Sequence, residues 1–313
     1  MDITAIILTI LGLALFETII SIDNAIINAD VLSKMSQRAR KWFLLWGLLI
    51  AVFLVRGILP ALILYIANPG IGLDGVISAT FNSDPSVMEA IEKTGPVLLI
   101  AGGMFMLFLF FHWLFLEPKN YGIKGEKFFH AQGVWFFAVV SILLAVITWY
   151  AIQKDPLMAF GAVIGSTAFF IVHGFKQNAE LQEKELLEKK NNGMGDLSKL
   201  LYLEIIDMTF SIDGVIGAFA FTFSVPLILI GNGIGAFVVR ELTIRNIENV
   251  KKYIYIKNGA MYSILFLGMF MVLDSFGYNI PQWVSPIITF GVVGFFFFKS
   301  HVHLKNSKEK QSN

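Results

Sequence analysis

Two apolar segments of this 313-residue chain contain the same spacing of oxygen-bearing side chains. The shared pattern is an acidic residue, three residues, a serine, one residue and an aspartate, and its copies occupy residues 17–24 and 207–214. Carboxylate, hydroxyl and amide oxygens suit Mg²⁺, Ca²⁺ or Mn²⁺, and the absence of cysteine removes thiolate ligation and thiol catalysis. The candidate metal ligands are Glu17, Ser21, Asp23, Asn24, Asp207, Ser211 and Asp213.

Placing these carboxylates in a membrane costs free energy, so each of them needs a proton, a charged partner or a bound cation. Each carboxylate near the bilayer centre costs at least about 2.5–3.5 kcal/mol, so four cost on the order of 10 kcal/mol. They therefore have to be protonated, paired or bound to a cation. Arg56 is the basic residue deepest in a predicted span, and we expect it to act as a counter-ion or gating residue that pairs with Glu17 or Asp23 when the metal is absent.

The helical register of the motif leaves two arrangements open. Glu17, Ser21 and Asn24 fall on one helical face, whereas Asp23 lies about 120° away, and Asp213 has the same offset in the second copy. Either each helix faces partners on two sides, or it unwinds near the aspartate. Gly214 would ease such a break in the second copy.

The elements that must position these residues are transmembrane helices. Hydrophobic residues make up 56% of the chain and charged residues only 15%, and several apolar runs reach the roughly 20 residues that cross a bilayer. We predict an all-α, polytopic helical bundle. The nine predicted spans are 4–33, 42–67, 96–116, 134–152, 157–175, 200–222, 226–240, 255–275 and 283–299. The glycine runs at 102–103 and 231–235 are predicted to be close helix contacts.

The Lys and Arg residues predict the orientation of these spans. If the N-terminus is outside and the C-terminus cytoplasmic, all 24 Lys and Arg residues except Arg56, Lys93 and Lys154 lie on or beside the cytoplasmic side. The first and sixth spans then run in opposite directions. This is an inverted-topology repeat, and transporters built that way place their substrate site near the midplane.

The same boundaries divide the chain into four parts. We predict an N-terminal membrane half over 1–175, a charged cytoplasmic helix and linker over 176–199, a C-terminal membrane half over 200–300 and a cytoplasmic tail over 301–313. Five histidines fall near the predicted cytoplasmic side, either by chance or as an inner vestibule for the metal: His112, His130, His173, His301 and His303.

The two motif copies resemble the signature helices of the TerC family, integral membrane proteins first associated with tellurium resistance. The segments that carry the resemblance are residues 16–25 and 207–213, and Arg56 also fits the pattern. The resemblance extends over about residues 6–275, and the long 176–199 insert and extra spans resemble a branch without an assigned function. It implies manganese(II) export across the bacterial cytoplasmic membrane, with calcium as a second possible ion. It also implies ligation by Glu17, Asp23, Asp207 and Asp213 with Asn24.

We therefore predict a divalent-cation transporter, with Mn²⁺ as its transported substrate and the lipid bilayer as its surroundings. No nucleotide-binding loop is present, and nothing in the charge pattern points to nucleic acid. Two alternatives remain: an intramembrane aspartyl hydrolase, in which Asp23 and Asp213 share a proton, and a non-transporting scaffold or metalation factor. We expect no enzyme activity, and the sequence defines no oligomeric state.

Overall fold

The computed structural model describes residues 3–22, 25, 35–47, 50, 57–67, 70, 72, 75, 85–188, 200, 211–245 and 247–312. Within these ranges the chain is helical and contains no strand. The helices in chain order are α1 (Ile3–Ile20), α2 (Gln37–Trp42), which continues as a π-helical turn (Phe43–Gly47), α3 (Leu59–Ala67), α4 (Pro85–Leu116), α5 (Glu126–Ala131), α6 (Trp135–Lys154), α7 (Pro156–Glu188), α8 (211–218), α9 (Val225–Arg245), α10 (Ile247–Val250), α11 (Ile256–Ser275) and α12 (Val284–Ser312).

Seven described helices are long and apolar enough to cross a membrane, which confirms the predicted polytopic helical bundle. Their membrane-length segments are Ile3–Ile20, Lys93–Leu116, Trp135–Lys154, Pro156–Gln177, Val225–Leu242, Ile256–Ser275 and Val284–Ser307. Each overlaps a predicted span, and the first predicted span, 4–33, extends into residues outside the described ranges. The other two predicted spans, 42–67 and 200–222, fall partly outside the described residues, so the total of nine stays a prediction.

Helix α6 has the exposed apolar surface expected of a helix that contacts lipid. It carries apolar side chains on nearly all sides, and many of them are exposed, including Ile142 at 64%. Trp135 at its start and Trp149 near its end are also exposed. Tryptophans near the ends of an apolar helix are typical of membrane interfaces, where the ring contacts both headgroups and lipid tails.

Helix α4 lies at the centre of the bundle and packs against α7 and α11. Lipid tails are as apolar as leucine, so membrane helices associate through close packing, which small residues permit. A methyl group added to Gly103 would lie 2.9 Å from the carbonyl oxygen of Gly268 on α11, and one added to Gly165 on α7 would collide with the backbone of Ala101. The predicted close contact at Gly102–Gly103 is thus confirmed.

The described parts of the two motif copies run antiparallel, as predicted. Residue numbers increase in opposite directions along α1 and α8, whereas they increase in the same direction along α1 and α9. The contacts are Gly214 with Glu17 and Ile20, Gly217 with Phe16, Gly231 with Ile10 and Leu13, and Gly235 with Ala14 and Glu17. The glycines of the 231–235 run therefore form the close helix contact predicted for them.

Candidate functional site

Glu17 lies near the end of α1 and is 1% exposed. The hydroxyl of Ser21, one turn later, donates a hydrogen bond to its Oε1 at 2.7 Å. The backbone N–H of Ser21 donates to the carbonyl of Glu17, and that of Ala25 donates to the carbonyl of Ser21, at 3.1 and 2.9 Å. Helical hydrogen bonding thus continues past Glu17, and Glu17 and Ser21 share one face, as their spacing predicts.

Two glycines from different helices make room for the Glu17 side chain. A methyl group added to Gly214 on α8 would lie 2.6 Å from its Oε2. One added to Gly235 on α9 would lie 2.6 Å from its Cβ and 2.7 Å from the carbonyl oxygen of Ala14. Three helices therefore meet at this carboxylate. The second copy has glycine where the first has Asn24, and in the structure that glycine accommodates the acid of the first copy.

Asp213 faces another neighbour. Its Oδ2 forms an ion pair with the ammonium group of Lys176 on α7, and both side chains are largely buried, at 7% and 12% exposure. Its Oδ1 has no hydrogen-bond partner among the described residues. Gly214, the next residue in the chain, contacts the Glu17 carboxylate. Two acids from antiparallel helices thus occupy one buried region, together with a lysine.

Helix α8 decides between the two arrangements considered for the second motif copy. Residues 211–218 form continuous helix, so the chain does not unwind at Asp213 or Gly214. Gly214 contacts α1, whereas Asp213 pairs with a residue of α7. The helix therefore faces partners on two sides.

Two further polar side chains are buried at the same helix contacts. Ser211 is 4% exposed and Asn232 is fully buried, one turn before Gly235. The Ser211 hydroxyl and both amide atoms of Asn232 have no hydrogen-bond partner among the residues that the structure describes. Buried polar groups in proteins usually have such partners. Ligation of a cation by Ser211 or Asn232 stays a prediction.

Four predicted site residues lie outside the described residues: Asp23, Asn24, Arg56 and Asp207. Within the described ranges, no group of three or more His, Asp or Glu side chains is placed to hold a metal ion. Because two of the four predicted carboxylates are not among those residues, metal ligation stays a prediction. The structure brings together Glu17, Ser21 and Asp213, and it adds Gly214 and Lys176 to their surroundings.

Lys176 is the residue of this region that the sequence reasoning missed. It lies in the segment 176–199, for which we predict a charged cytoplasmic helix and linker. Helix α7 continues without a break to Glu188, and Lys176 pairs with Asp213 of α8. No sequence signal pairs Lys176 with a residue 37 positions later.

A family model described as "Protein of unknown function (DUF475)" matches residues 22–308, so the chain belongs to this family. A curated "Uncharacterized membrane protein" of Rickettsia felis is 26% identical over 168 residues, which cover 51% of this chain and 54% of that protein. A second, "Uncharacterized membrane protein ycf78" of Chlorella vulgaris, is 25% identical over 136 residues, 44% of this chain and 16% of that protein. The chain thus spans about half of the first relative and a small part of the second. No solved structure matches.

Proposed function

We propose that this membrane protein of the DUF475 family carries a divalent cation through a site between α1 and α8. The observation that carries the proposal is the burial of the Glu17 and Asp213 carboxylates on two antiparallel helices that touch at Gly214, the residue next to Asp213. Two carboxylates in one low-dielectric region repel each other unless a cation or a proton compensates them. A divalent cation supplies the compensating charge and can leave again.

Lys176 gives this site an internal substitute for the transported ion. Its ammonium group forms an ion pair with the Asp213 carboxylate. Removing one partner of a buried ion pair costs about 3–5 kcal/mol, because the other charge is left uncompensated. We expect the arriving cation to replace Lys176 at Asp213, so that the carboxylate is neutralised in both states.

The ligand chemistry and the motif resemblance support Mn²⁺ as the ion. All candidate ligands are oxygens, which hard divalent cations prefer. The two acidic motifs resemble those of the TerC family, and this resemblance favours Mn²⁺ over Ca²⁺. Export across the bacterial cytoplasmic membrane, with the N-terminus outside and the C-terminus in the cytoplasm, belongs to the same proposal.

Flux measurements with two matched glutamates test the proposal. Glu17 and Glu126 are each 1% exposed, but Glu126 lies in α5, apart from the motif. In proteoliposomes that contain an Mn²⁺ indicator, we expect Mn²⁺ entry with wild-type protein, strong loss with Glu17→Gln, and retained flux per folded protein with Glu126→Gln. Added Ca²⁺ and Mg²⁺ measure the selectivity.

Each alternative gives a different result in the same preparation. Folded wild-type protein that moves no divalent cation would overturn the transport proposal and favour a scaffold or metalation factor. Cleavage of a membrane peptide that depends on Asp213 would favour the aspartyl hydrolase. Equal flux in both glutamate variants would remove Glu17 from the site.

A further inference from the structure

The segment between α4 and α6, residues 117–134, lies at the end of the bundle where α11 begins. Glu117 at its start pairs with Lys257 in the first turn of α11, and the ammonium group of Lys299 on α12 donates to the carbonyl of Gly122. The membrane-length part of α4 ends immediately before the segment, and that of α6 begins immediately after it. Both ends of the segment therefore lie at the same membrane surface.

One side of this segment is attached to the bundle. Glu126 is buried, and its Oε2 accepts hydrogen bonds from the backbone N–H of Gly122 and from the side-chain amide of Asn258 on α11. The ammonium group of Lys119 donates to two backbone carbonyls at the end of α4. These bonds hold the segment against the helices, so its opposite side has a defined orientation.

The opposite side carries large apolar side chains that are exposed. Phe128 is 65% exposed and Val134 is 87% exposed. We define the outer face of the segment by these two residues together with Tyr121, Ile123, Phe129 and Trp135, which are also exposed. Trp135 is the first residue of α6, so the outer face is continuous with the exposed apolar surface of that helix. Exposed apolar patches of this kind mark a surface that another molecule covers.

The charged side chains of the segment are divided between its two sides. Both of its carboxylates contact α11, because Glu117 pairs with Lys257 and Glu126 accepts from the Asn258 amide. Two lysines, at positions 124 and 127, are exposed among the apolar side chains of the outer face. The charge that the segment directs outward is therefore positive.

These features favour the lipid bilayer over a protein as the partner of the outer face. Protein interfaces are depleted in lysine at their cores, whereas aromatic side chains next to lysines are typical of segments that lie in the headgroup layer of a membrane. A lysine stem can lie along acyl chains while its ammonium group reaches the headgroups. Trp135, at the start of a membrane-length helix, indicates the level of the headgroups.

We propose that the outer face binds anionic phospholipids of the bilayer. Lys124 and Lys127 contact the anionic headgroups, and the aromatic side chains lie among the upper parts of the acyl chains. In the orientation proposed above, these lipids belong to the cytoplasmic leaflet. Because hydrogen bonds and an ion pair connect the segment to α11 and α12, lipid bound here also stabilises the packing of the bundle. This inference does not depend on cation transport.

The first test compares lipids of different charge at Trp135. Nanodiscs contain mixtures of phosphatidylcholine and phosphatidylglycerol, and one lipid or the other carries bromine atoms that quench tryptophan fluorescence. The difference in fluorescence between wild type and Trp135→Phe gives the Trp135 signal. We expect brominated phosphatidylglycerol to quench this signal at a several-fold lower mole fraction than brominated phosphatidylcholine, with a contribution of about fivefold from each lysine.

Lysine variants assign this preference to the outer face. Lys124→Gln and Lys127→Gln should each lower the preference for phosphatidylglycerol by about fivefold, and the double variant should remove it. The matched control is the double variant Lys252→Gln/Lys305→Gln, which removes two exposed lysines outside the segment and should keep the preference. Thermal unfolding in the same nanodiscs should show a higher melting temperature with phosphatidylglycerol in wild type and in the control, but not in Lys124→Gln/Lys127→Gln.

Four results would overturn the proposal, whether or not the protein carries a cation. The first is equal quenching of Trp135 by the two lipids. The second is a Trp135 signal that neither lipid quenches, which would show that a second copy of the chain or another protein covers the outer face. The third is a preference that persists in Lys124→Gln/Lys127→Gln. The fourth is a preference that millimolar inorganic phosphate abolishes, which would assign the lysines to a soluble anion.

Discussion

The bundle contains two glutamates with equal burial and very different surroundings. Glu17 and Glu126 are both 1% exposed. Glu126 accepts hydrogen bonds at Oε2 from the backbone N–H of Gly122, at 2.6 Å, and from the side-chain amide of Asn258, at 2.9 Å. Asn258 also donates to the carbonyl of Asn120. Glu126 thus ties the segment between α4 and α5 to α11 through Oε2, and the ammonium group of Lys119 interacts electrostatically with its carboxylate.

Glu17 has surroundings that suit an exchangeable ion. Its described neighbours include a serine hydroxyl, two glycines that leave space, and the helical turn that carries Asp213. Glu126 has hydrogen-bond donors and a lysine nearby, so it is stable without a bound cation. Glu17 lies beside a helix that carries a second buried acid, so a bound cation would stabilise it more. The environment of each glutamate, more than its burial, distinguishes the proposed cation ligand Glu17 from the structural Glu126.

The largest effect is expected from separating the Asp213–Lys176 pair. Asp213→Asn leaves Lys176 buried without its anion, so it should lower stability by about 3–5 kcal/mol as well as abolish flux. The double variant Asp213→Asn/Lys176→Met removes both charges, so stability should recover while Mn²⁺ flux stays absent. Denaturant titration and proteoliposome flux measure the two quantities.

The control for this pair is Lys176→Met alone. It leaves the Asp213 carboxylate open to the metal, so Mn²⁺ should bind more tightly and raise the melting temperature more than in wild type. Full flux in the double variant would contradict the assignment of Asp213 as a ligand and would make the ion pair a structural element comparable to Glu126.

A smaller effect is expected from the glycines around Glu17. Gly214→Ala adds a methyl group against the end of the Glu17 side chain and not against backbone, so the helix should tolerate it, but a displaced ligand should lower Mn²⁺ affinity by about 10-fold. Gly235→Ala instead places a methyl group against the Cβ of Glu17 and the backbone carbonyl of Ala14, so it should cost about 1–3 kcal/mol of stability. Calorimetry and thermal unfolding separate the two effects.

Gly291→Ala is the matched control, because nothing lies within 4 Å of the added methyl group. It should change neither affinity nor flux. Wild-type Mn²⁺ affinity in Gly214→Ala would show that the contact between Gly214 and Glu17 has no role in cation binding.

Sequence reasoning predicted the parts of this fold that depend on one helix at a time. Apolar length located the spans, the residue spacing placed Ser21 beside Glu17, and the basic residues gave the alternation that makes α1 and α8 antiparallel. Each of these signals depends on the sequence of a single helix or on the side of the membrane on which a loop lies. The contacts at the glycine runs were also predictable, since small residues in membrane helices indicate close approach.

The same reasoning could not predict which helices are lateral neighbours. The partner of Asp213 is Lys176, on a helix 37 residues earlier, and the partner of His112 is His173, 61 residues later. Hydropathy gives no information about these neighbours, because helices of equal apolar length can be arranged around each other in many ways. Glu126 likewise accepts a hydrogen bond from Asn258 of a distant helix, α11.

Substitution of Glu126, the structural carboxylate, should lower stability moderately and leave transport unchanged. Glu126→Ala leaves the N–H of Gly122 and the amide of Asn258 without an acceptor, which should cost about 1–3 kcal/mol. Asn258→Ala removes the same hydrogen bond, so the double variant should lose less than the sum of the single losses. Thermal unfolding gives the stabilities. Reduced Mn²⁺ flux per folded protein in Glu126→Ala would show that Glu126, like Glu17, is needed for transport.

The last effect is a pH dependence of stability that comes from Lys119, in the Glu126 region. Lys119 lies over the Trp113 ring and donates to the carbonyls of Trp113 and Leu114. Burial lowers its pKa from 10.5 to about 8, while Glu126 and Glu117 oppose the shift. Between these pH values the unfolded chain holds a proton that the folded chain has lost, so stability should rise with pH over this interval.

Lys119→Met should remove this rise, whereas Lys124→Met, at an exposed position of the same segment, should keep it. Unfolding measured from pH 7.5 to 10.5, with each variant compared with wild type, isolates the contribution of Lys119 from other alkaline groups. The rise should be the same at zero and at saturating Mn²⁺, because Lys119 acts on the structural carboxylate and not on the cation site. A rise that Mn²⁺ suppresses would couple the two regions and contradict their separation.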